Sequence, residues 1–394
     1  FQTGLSTCNA DNQTVAYNAT TGKFECGDDD TGGAGTSAFT TAVTVTDGVT
    51  TSSLRADGLF IATSTSNMSG RFAVDSTGSV SASGTLKVFS TSTFTHVAVT
   101  GTFTQSARPD PKIVGGVKSN TLLDGASKVT VSGKYAYVIG GDDDFFRIID
   151  ISNQGYPTIV GGVSSTLLDG AAGVYVSGKY AYVTARVNNS LRIIDISNPT
   201  SPSIVGGIAS TTVLNGVRSV YVSGKYVYAA SEIGDSLSII DISNPMGTST
   251  IVGSVVSTTA LNGAFAVTVA GKYAYVANSN DNSLRIIDVS NPSSPTIVGG
   301  VVDGTNLFQP VSVYVSGKYA YVATLTAGKL TIVDIASSTA PTVVGVVNDD
   351  SIGSSEVYVS GKYAYVANFI ANTLNVFDIS SSTAPVKVGG IDDD

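Results

Sequence analysis

The chain of 394 residues has a formal net charge of −9, and only 13% of its residues are charged, about half the share typical of soluble domains. It has no basic stripe to neutralise phosphates, which argues against nucleic acid as a partner. No apolar run approaches the ~20 residues of a membrane-spanning helix. Ser, Thr and Gly take the place of charge, as in many extracellular and surface proteins. Because the chain begins at Phe1 without Met, we expect a processed chain or a fragment.

Residues 1–30 contain both cysteines of the chain, Cys8 and Cys26. The segment "TVAYNATTGKFEC" between them reads as a β-hairpin around a turn that contains glycine. We expect a disulfide that staples this hairpin, which would indicate an oxidising compartment. Two unrelated free thiols are the alternative.

Residues 31–37, "TGGAGTS", are typical of a flexible linker. Residues 38–106 contain short alternating segments rich in Thr, Ser and Val, which predict β-strands with too little apolar surface for a solid core. In composition they resemble the shafts of phage tail fibres and trimeric bacterial surface fibres, where neighbouring chains complete the core. A small independent β-sandwich is the alternative. "ARPDP" at 107–111 predicts the boundary to the next domain.

Residues 112–394 contain a unit that repeats six times. Its "GKY" lysines are spaced 44 to 47 residues apart, and each unit has four short apolar runs separated by turn residues. No window has helical periodicity. Four strands in each of six units of this length predict an all-β fold, a six-bladed β-propeller with four-stranded blades.

Two features recur in every unit and are interpreted as structural. The "YAYV" strand alternates large and small side chains, which suits packing between blades better than a ligand platform. Each lysine also lies 16 residues before an aspartate, and an antiparallel hairpin brings such positions together. We expect cross-strand ion pairs or turn caps at Lys134 with Asp150, Lys179 with Asp195, Lys225 with Asp241, Lys272 with Asp288, Lys318 with Asp334, and Lys362 with Asp378.

The units read "LRIIDISNP", then "PTIVGGV", then "VYVSGKYAYVA". In these motifs residues 112–391 resemble the LVIVD-repeat family of bacterial and archaeal surface β-propellers. The resemblance implies a propeller fold and an exported, cell-surface location. It implies no catalytic residues, because the role of the family is poorly defined. The fifth and sixth units depart from the pattern at one turn, where "ASSTAP" and "SSSTAP" replace the Asn-Pro turn.

Motifs for catalysis are absent from the sequence. The one histidine, His96, lies outside the propeller region, which excludes a Ser-His-Asp triad there. The loops after the second strands are rich in Asp and Asn, the oxygen ligands that Ca²⁺ prefers, but also the commonest turn residues. The weak candidates for a Ca²⁺ site are Asp142, Asp143, Asp144, Asn278, Asn280 and Asp281. We expect no other cofactor.

One strand motif is written seven times. Variants of "IVGGV" begin near 112, 158, 203, 250, 296, 342 and 386, although six blades need only six fourth strands. The extra copy is explained by an unpaired remnant, by a fragment that lacks its next repeat, or by donation of a strand to a neighbouring molecule.

The sequence therefore favours a non-enzymatic, extracellular structural protein that forms a homo-oligomer or polymer and displays a propeller. The alternative is a module whose Asp/Asn-rich face binds a glycan or a cell-surface protein. An enzyme is the least favoured hypothesis.

Overall fold

The computed structural model describes residues 111–392, apart from Asp142, Thr248 and residues 349–352, and five short strands that precede them. The chain divides into two compact units, residues 1–104 and 105–394.

In the first unit, β1 (Gln13–Asn18) and β2 (Lys23–Asp28) form an antiparallel hairpin in the segment where the sequence predicts one. A three-stranded sheet contains β3 (Ile61–Ala62), β4 (Phe72–Val74) and β5 (Val80–Ala82). Cys8, the side chain of Cys26, and His96 lie outside the described residues, so the disulfide stays a prediction. The choice between a fibre shaft and a sandwich lies outside them too.

Within the described part of the second unit, the strands form six four-stranded antiparallel sheets, each a meander in chain order. We call these sheets blades 1 to 6. The first strands are β6 (Ala126–Ser132), β10 (Ala171–Ser177), β14 (Val217–Ser223), β18 (Ala264–Ala270), β22 (Pro310–Ser316) and β26 (Ser354–Ser360). The second strands are β7 (Tyr135–Gly140), β11 (Tyr180–Ala185), β15 (Tyr226–Ser231), β19 (Tyr273–Asn278), β23 (Tyr319–Thr324) and β27 (Tyr363–Asn368).

The third strands are β8 (Phe145–Asp150), β12 (Ser190–Asp195), β16 (Ser236–Asp241), β20 (Ser283–Asp288), β24 (Lys329–Asp334) and β28 (Thr373–Asp378). The fourth strands are β9 (Thr158–Ser164), β13 (Ser203–Ala209), β17 (Thr250–Val256), β21 (Thr296–Val302), β25 (Thr342–Asn348) and β29 (Val386–Asp392). This is the predicted six-bladed propeller. The C-terminal copy of "IVGGV" supplies the fourth strand of blade 6, whereas 112–117 forms no strand.

The turn between first and second strands needs a residue in the left-handed region. Gly178 occupies it in blade 2 with φ +60° and open space around its Cα, so glycine is required here by the backbone angle alone. Strand pairing then begins at the tyrosine of "GKY", with Tyr180 opposite Asp195. The lysine therefore lies in the turn, one residue before the start of the second strand.

The first strands lie innermost, because consecutive ones run side by side from β6 through to β26. The core lies between the blades. No helix in the described part of the chain is long and apolar enough to cross a membrane.

Candidate functional site

The repeated lysine and aspartate meet at one end of the ring. In five blades the lysine Nζ lies 3.2–3.3 Å from the aspartate Oδ2. In blade 2, hydrogen bonds from the side chain and backbone of Ser197 lower the pKa of Asp195, and the charge of Lys179 lowers it further. Each aspartate also accepts a backbone N–H from two residues further on, at 2.8–2.9 Å. The aspartate therefore caps a turn as well as pairing with lysine.

These turns hold the carboxylates in their charged form. Hydrogen bonds from the side chain and backbone of Ser290, then from Lys272, lower the pKa of Asp288 from 3.8 to about 2. The same kinds of contact lower the pKa of the equivalent aspartates in the other blades. Six copies with one shared geometry point to a structural role.

At the opposite end of the ring, an Asp or Asn before the third strand connects each of blades 1 to 4 to the next blade. These residues are Asp144, Asn189, Asp235 and Asn282, and all have positive φ, between 45° and 55°. The backbone carbonyl accepts an N–H at 3.0–3.1 Å from the residue that directly follows the fourth strand of its own blade. The side-chain oxygen accepts a second N–H at 2.8–3.2 Å, from Gly170, Gly216, Gly263 and Gln309 respectively. We call these residues the staples.

The candidate Ca²⁺ ligands have protein partners. Asp144 is a staple. Buried Asn278 donates to Val276 O and Ser283 Oγ, and Asn280 donates to Asn262. Asp281 accepts from Ser283 and Arg285, and burial raises its pKa.

Asp143 is exposed, and Asp142 lies outside the described residues. Among the described residues, no three His, Cys, Asp or Glu side chains gather as a metal site would require. The Ca²⁺ site stays a prediction.

An ionic group joins blades 2, 3 and 4 at the staple end. Glu232 accepts from Arg186 at 3.3 Å and from Arg218 at 2.7 Å, and the Arg218 guanidinium lies 4.4 Å from the Phe265 ring centroid. Sequence reasoning did not find this group, because its members lie in separate repeats without equivalents in the other units. The two arginines neutralise the Glu232 carboxylate, and Arg218 adds a cation–π contact with Phe265.

Tyrosines of the first strands pack against each other near the centre of the ring. The centroids of Tyr175 and Tyr221 lie 5.0 Å apart, and those of Tyr314 and Tyr358 lie 5.2 Å apart. Burial, with smaller effects from Tyr221 and Tyr314, raises the pKa of Tyr175 to about 12. The Tyr175 phenol is therefore neutral at physiological pH.

Five junctions between blades are sealed by apolar clusters. The face of one blade presents its second "YAYV" tyrosine and aliphatic residues of its third strand, and the next blade presents alanine, valine and isoleucine. Between blades 2 and 3, for example, Tyr182 and Ile193 pack with Val220, Val222 and Ile240.

Among the described residues, no such cluster joins blade 6 to blade 1. The exposed fractions of Val129 and Val131 in blade 1 are 61% and 59%, against 7% and 6% for the equivalent Val220 and Val222. On blade 6, Tyr365 is half-buried although its counterparts are buried. Lys128 bridges the junction by donating to Ser355 O at 3.1 Å and pairing with Glu356. We call this place the open junction.

The extra "IVGGV" copy, residues 112–117, lies beside this junction. At each sealed junction, the first glycine of a fourth strand passes so close to the next blade that an added Cβ would lie 2.0–2.4 Å from a turn carbonyl, as for Gly161 and Pro199 O at 2.1 Å. Gly115 has the same relation to Gln154 O of blade 1, at 2.2 Å. Segment 112–117 therefore occupies the place of a fourth strand belonging to a blade before blade 1. Ile113 and Val114 in it are 78% and 68% exposed.

The Arg147 guanidinium of blade 1 lacks a contact that the equivalent arginines make. In blades 2 and 4, the third-strand arginine donates its Nε–H to a carbonyl of the loop leading into the blade, from Arg192 to Leu167 O and from Arg285 to Ala260 O. The equivalent Arg147 is buried, and its Nε has no partner. Instead, Arg147 and Leu122 line an open groove. The loop that leads into blade 1 is thus not docked as its counterparts are.

The repeats match a family model described as LVIVD repeat, over residues 125–165, 170–209, 216–255, 263–303, 311–349 and 353–393. No curated protein sequence matches the chain.

Several solved structures have a similar fold. A periplasmic gluconolactonase from Pseudomonas aeruginosa is 15% identical, with a TM-score of 0.60 over 85% of this chain and 95% of its own. A putative 6-phosphogluconolactonase from Bacteroides fragilis is 16% identical, with a TM-score of 0.58 over 85% and 97%. A functionally unknown protein from Desulfotomaculum acetoxidans is also 16% identical, with a TM-score of 0.56 over 67% and 85%. At such identities the likeness shows the fold alone.

Proposed function

The chain belongs to the LVIVD-repeat family, and from this premise we propose that it is a non-enzymatic structural protein of an exported, cell-surface assembly. In this proposal, propellers associate with one another through the open junction. The observation that carries it is the exposure of Val129 and Val131, because the equivalent valines of the other five blades are buried or half-buried between blades.

The two sides of the open junction are complementary to each other. Blade 6 presents the tyrosine-bearing face and blade 1 the valine-bearing face, and this combination packs at the five sealed junctions. Blade 6 of one copy therefore fits blade 1 of a second copy. Burial of a valine side chain contributes about 1.5–3 kcal/mol, so a few such contacts favour association. Because the two faces differ, the contact is heterologous and propagates from copy to copy.

The alternatives have less support. A glycan or protein ligand on the Asp/Asn-rich end would compete with the staples for Asp144, Asn189, Asp235 and Asn282. The names of the structural neighbours suggest lactone hydrolysis. We expect hydrolysis of gluconolactone and 6-phosphogluconolactone at the uncatalysed rate, and a rate well above it would overturn the non-enzymatic assignment.

Sedimentation velocity over a range of concentrations tests the association. We expect species larger than the 40.1 kDa chain, and we expect Val129→Glu with Val131→Glu to leave only that chain mass. The matched control is Val256→Glu with Val302→Glu, at positions that are 53% and 57% exposed on fourth strands elsewhere; it should associate like the wild type. A wild-type protein that sediments as a single chain at every concentration would refute the proposal.

A further inference from the structure

We propose that segment 112–117 of one copy is the fourth strand of blade 6 in a second copy, where it replaces Val386–Asp392. This inference rests on the proposed association and names the strand that completes the interface. The acceptor is the edge of β28, and the donor is the seventh copy of the fourth-strand motif.

The position of 112–117 supports this assignment. Gly115 lies against Gln154 O and Gly155, where the sealed junctions place the fourth strand of the preceding blade. When blade 6 of a second copy docks on blade 1, its own Gly389 would need the same place. Two strands cannot occupy one position. Segment 112–117 is already in contact with blade 1, so the strand that leaves is Val386–Asp392 of the second copy.

The sequences of the two strands favour the exchange. The second residue of the motif packs into the junction with the preceding blade as Ile204, Ile251, Ile297 and Val343 in blades 2 to 5. Blade 6 has Lys387 at this position, whereas the seventh copy has Ile113. Exchange thus places an aliphatic side chain where the resident strand has a charged one, and brings the exposed Ile113 out of solvent.

Segment 112–117 is also available to pair with a strand of another copy. Residues 112–117 form no ladder in the structure, and an unpaired strand is a template for addition to an exposed edge. Blade 6 of the same chain is complete, with Val376 opposite Gly389 and Leu374 opposite Ile391. The incoming segment must therefore displace β29, and docking of blade 6 of a second copy on blade 1 brings 112–117 to β28. Each exchange leaves the next junction open for another copy.

Disulfide trapping between two different full-length variants tests the exchange. In the register of β29, Val117 takes the place of Ile391 opposite Leu374. One protein has Val117→Cys and the other Leu374→Cys; they are mixed, allowed to associate and oxidised, and the bonds are mapped by mass spectrometry. We expect a Val117–Leu374 linkage between chains. A third protein with Leu374→Cys and Ile391→Cys reports the resident strand, and its internal linkage should decrease on association.

Each other outcome is decisive. Association with only the internal 374–391 linkage would overturn the exchange and leave the proposed function standing. A single-chain protein without association would overturn both. An internal linkage in a monomeric Val117→Cys, Leu374→Cys double variant would mean that 112–117 closes its own ring, which overturns the second copy as partner.

Two further substitutions should change which strand pairs with β28, the resident Val386–Asp392 or the incoming segment 112–117. Lys387→Ile improves the resident strand, and Ile113→Lys weakens the incoming one, so each should reduce the linkage between chains several-fold. Both variants keep a foldable propeller, since neither position is buried in the structure. If the yield of the linkage between chains is unchanged in both variants, the second residue of the motif has no role in the exchange.

Discussion

The junction between blades 2 and 3 and the junction between blades 6 and 1 are built from the same motif, yet only the first is sealed. At the first, Val220 and Val222 are buried beneath Tyr182. At the second, the equivalent Val129 and Val131 are exposed, and Lys128 reaches across to Glu356. The motif is therefore not sufficient to close the ring. In our proposal, closure depends on which segment occupies the place of the fourth strand next to the following blade.

The largest expected difference between the two kinds of junction concerns a leucine in the loop that leads into each blade. Leu261 is fully buried between blades 3 and 4, so Leu261→Ala should lower the free energy of unfolding by about 2–5 kcal/mol. Leu123 has the equivalent position in blade 1 but is only half-buried. We expect Leu123→Ala to cost about 1 kcal/mol, measured by urea denaturation. Equal losses would mean that blade 1 is as well packed as blade 4.

A smaller difference in the free energy of unfolding is expected between substitutions at a staple and at its counterpart in blade 6. Asn189→Gly keeps the left-handed backbone acceptable but leaves the buried N–H of Gly216 without its 2.8 Å acceptor. This should cost about 1–3 kcal/mol. Asn372 in blade 6 has φ +53° but no bond to blade 1 among the described residues.

Asn372→Gly should therefore be close to neutral, which makes it the matched control for Asn189→Gly. If the two substitutions destabilise equally in urea denaturation, a staple also connects blade 6 to blade 1, and the contrast is lost at this end of the ring.

Acid should destabilise all six blades to a similar extent, so the difference between the sealed junctions and the open junction should not change. The pKa of Asp288 is lowered from 3.8 to about 2 in the folded chain, so its contribution is present above pH 3.8 and is lost as the pH falls toward 2. We expect the melting temperature to be constant from pH 7 to about 5 and to fall between pH 4 and 2. Asp288→Asn should reduce part of this fall, whereas a fall confined to pH 5–7 would require a different group.

The repeat was predictable from sequence because spacing, turn residues and alternation act within one unit. Lys134 and Asp150, for example, lie in one hairpin, and the structure pairs them. The staples were missed as a class, although an Asp or Asn before the third strand in five of the six blades was a usable signal. The open junction could not be predicted from its residues, because Val129 and Val220 are the same amino acid at the same position of the motif. One signal that sets blade 6 apart is Lys387, a lysine at a position that is aliphatic in the other blades.

Hydrogen exchange of the first strands, followed by mass spectrometry, tests the central claim most directly. In dilute protein, backbone amides of β6 (Ala126–Ser132) should exchange much faster than those of β14 (Val217–Ser223), because only the latter lie in two sealed junctions. At concentrations where the protein associates, β6 should become protected while β14 stays unchanged. Equal protection of the two strands in dilute protein would contradict the open junction.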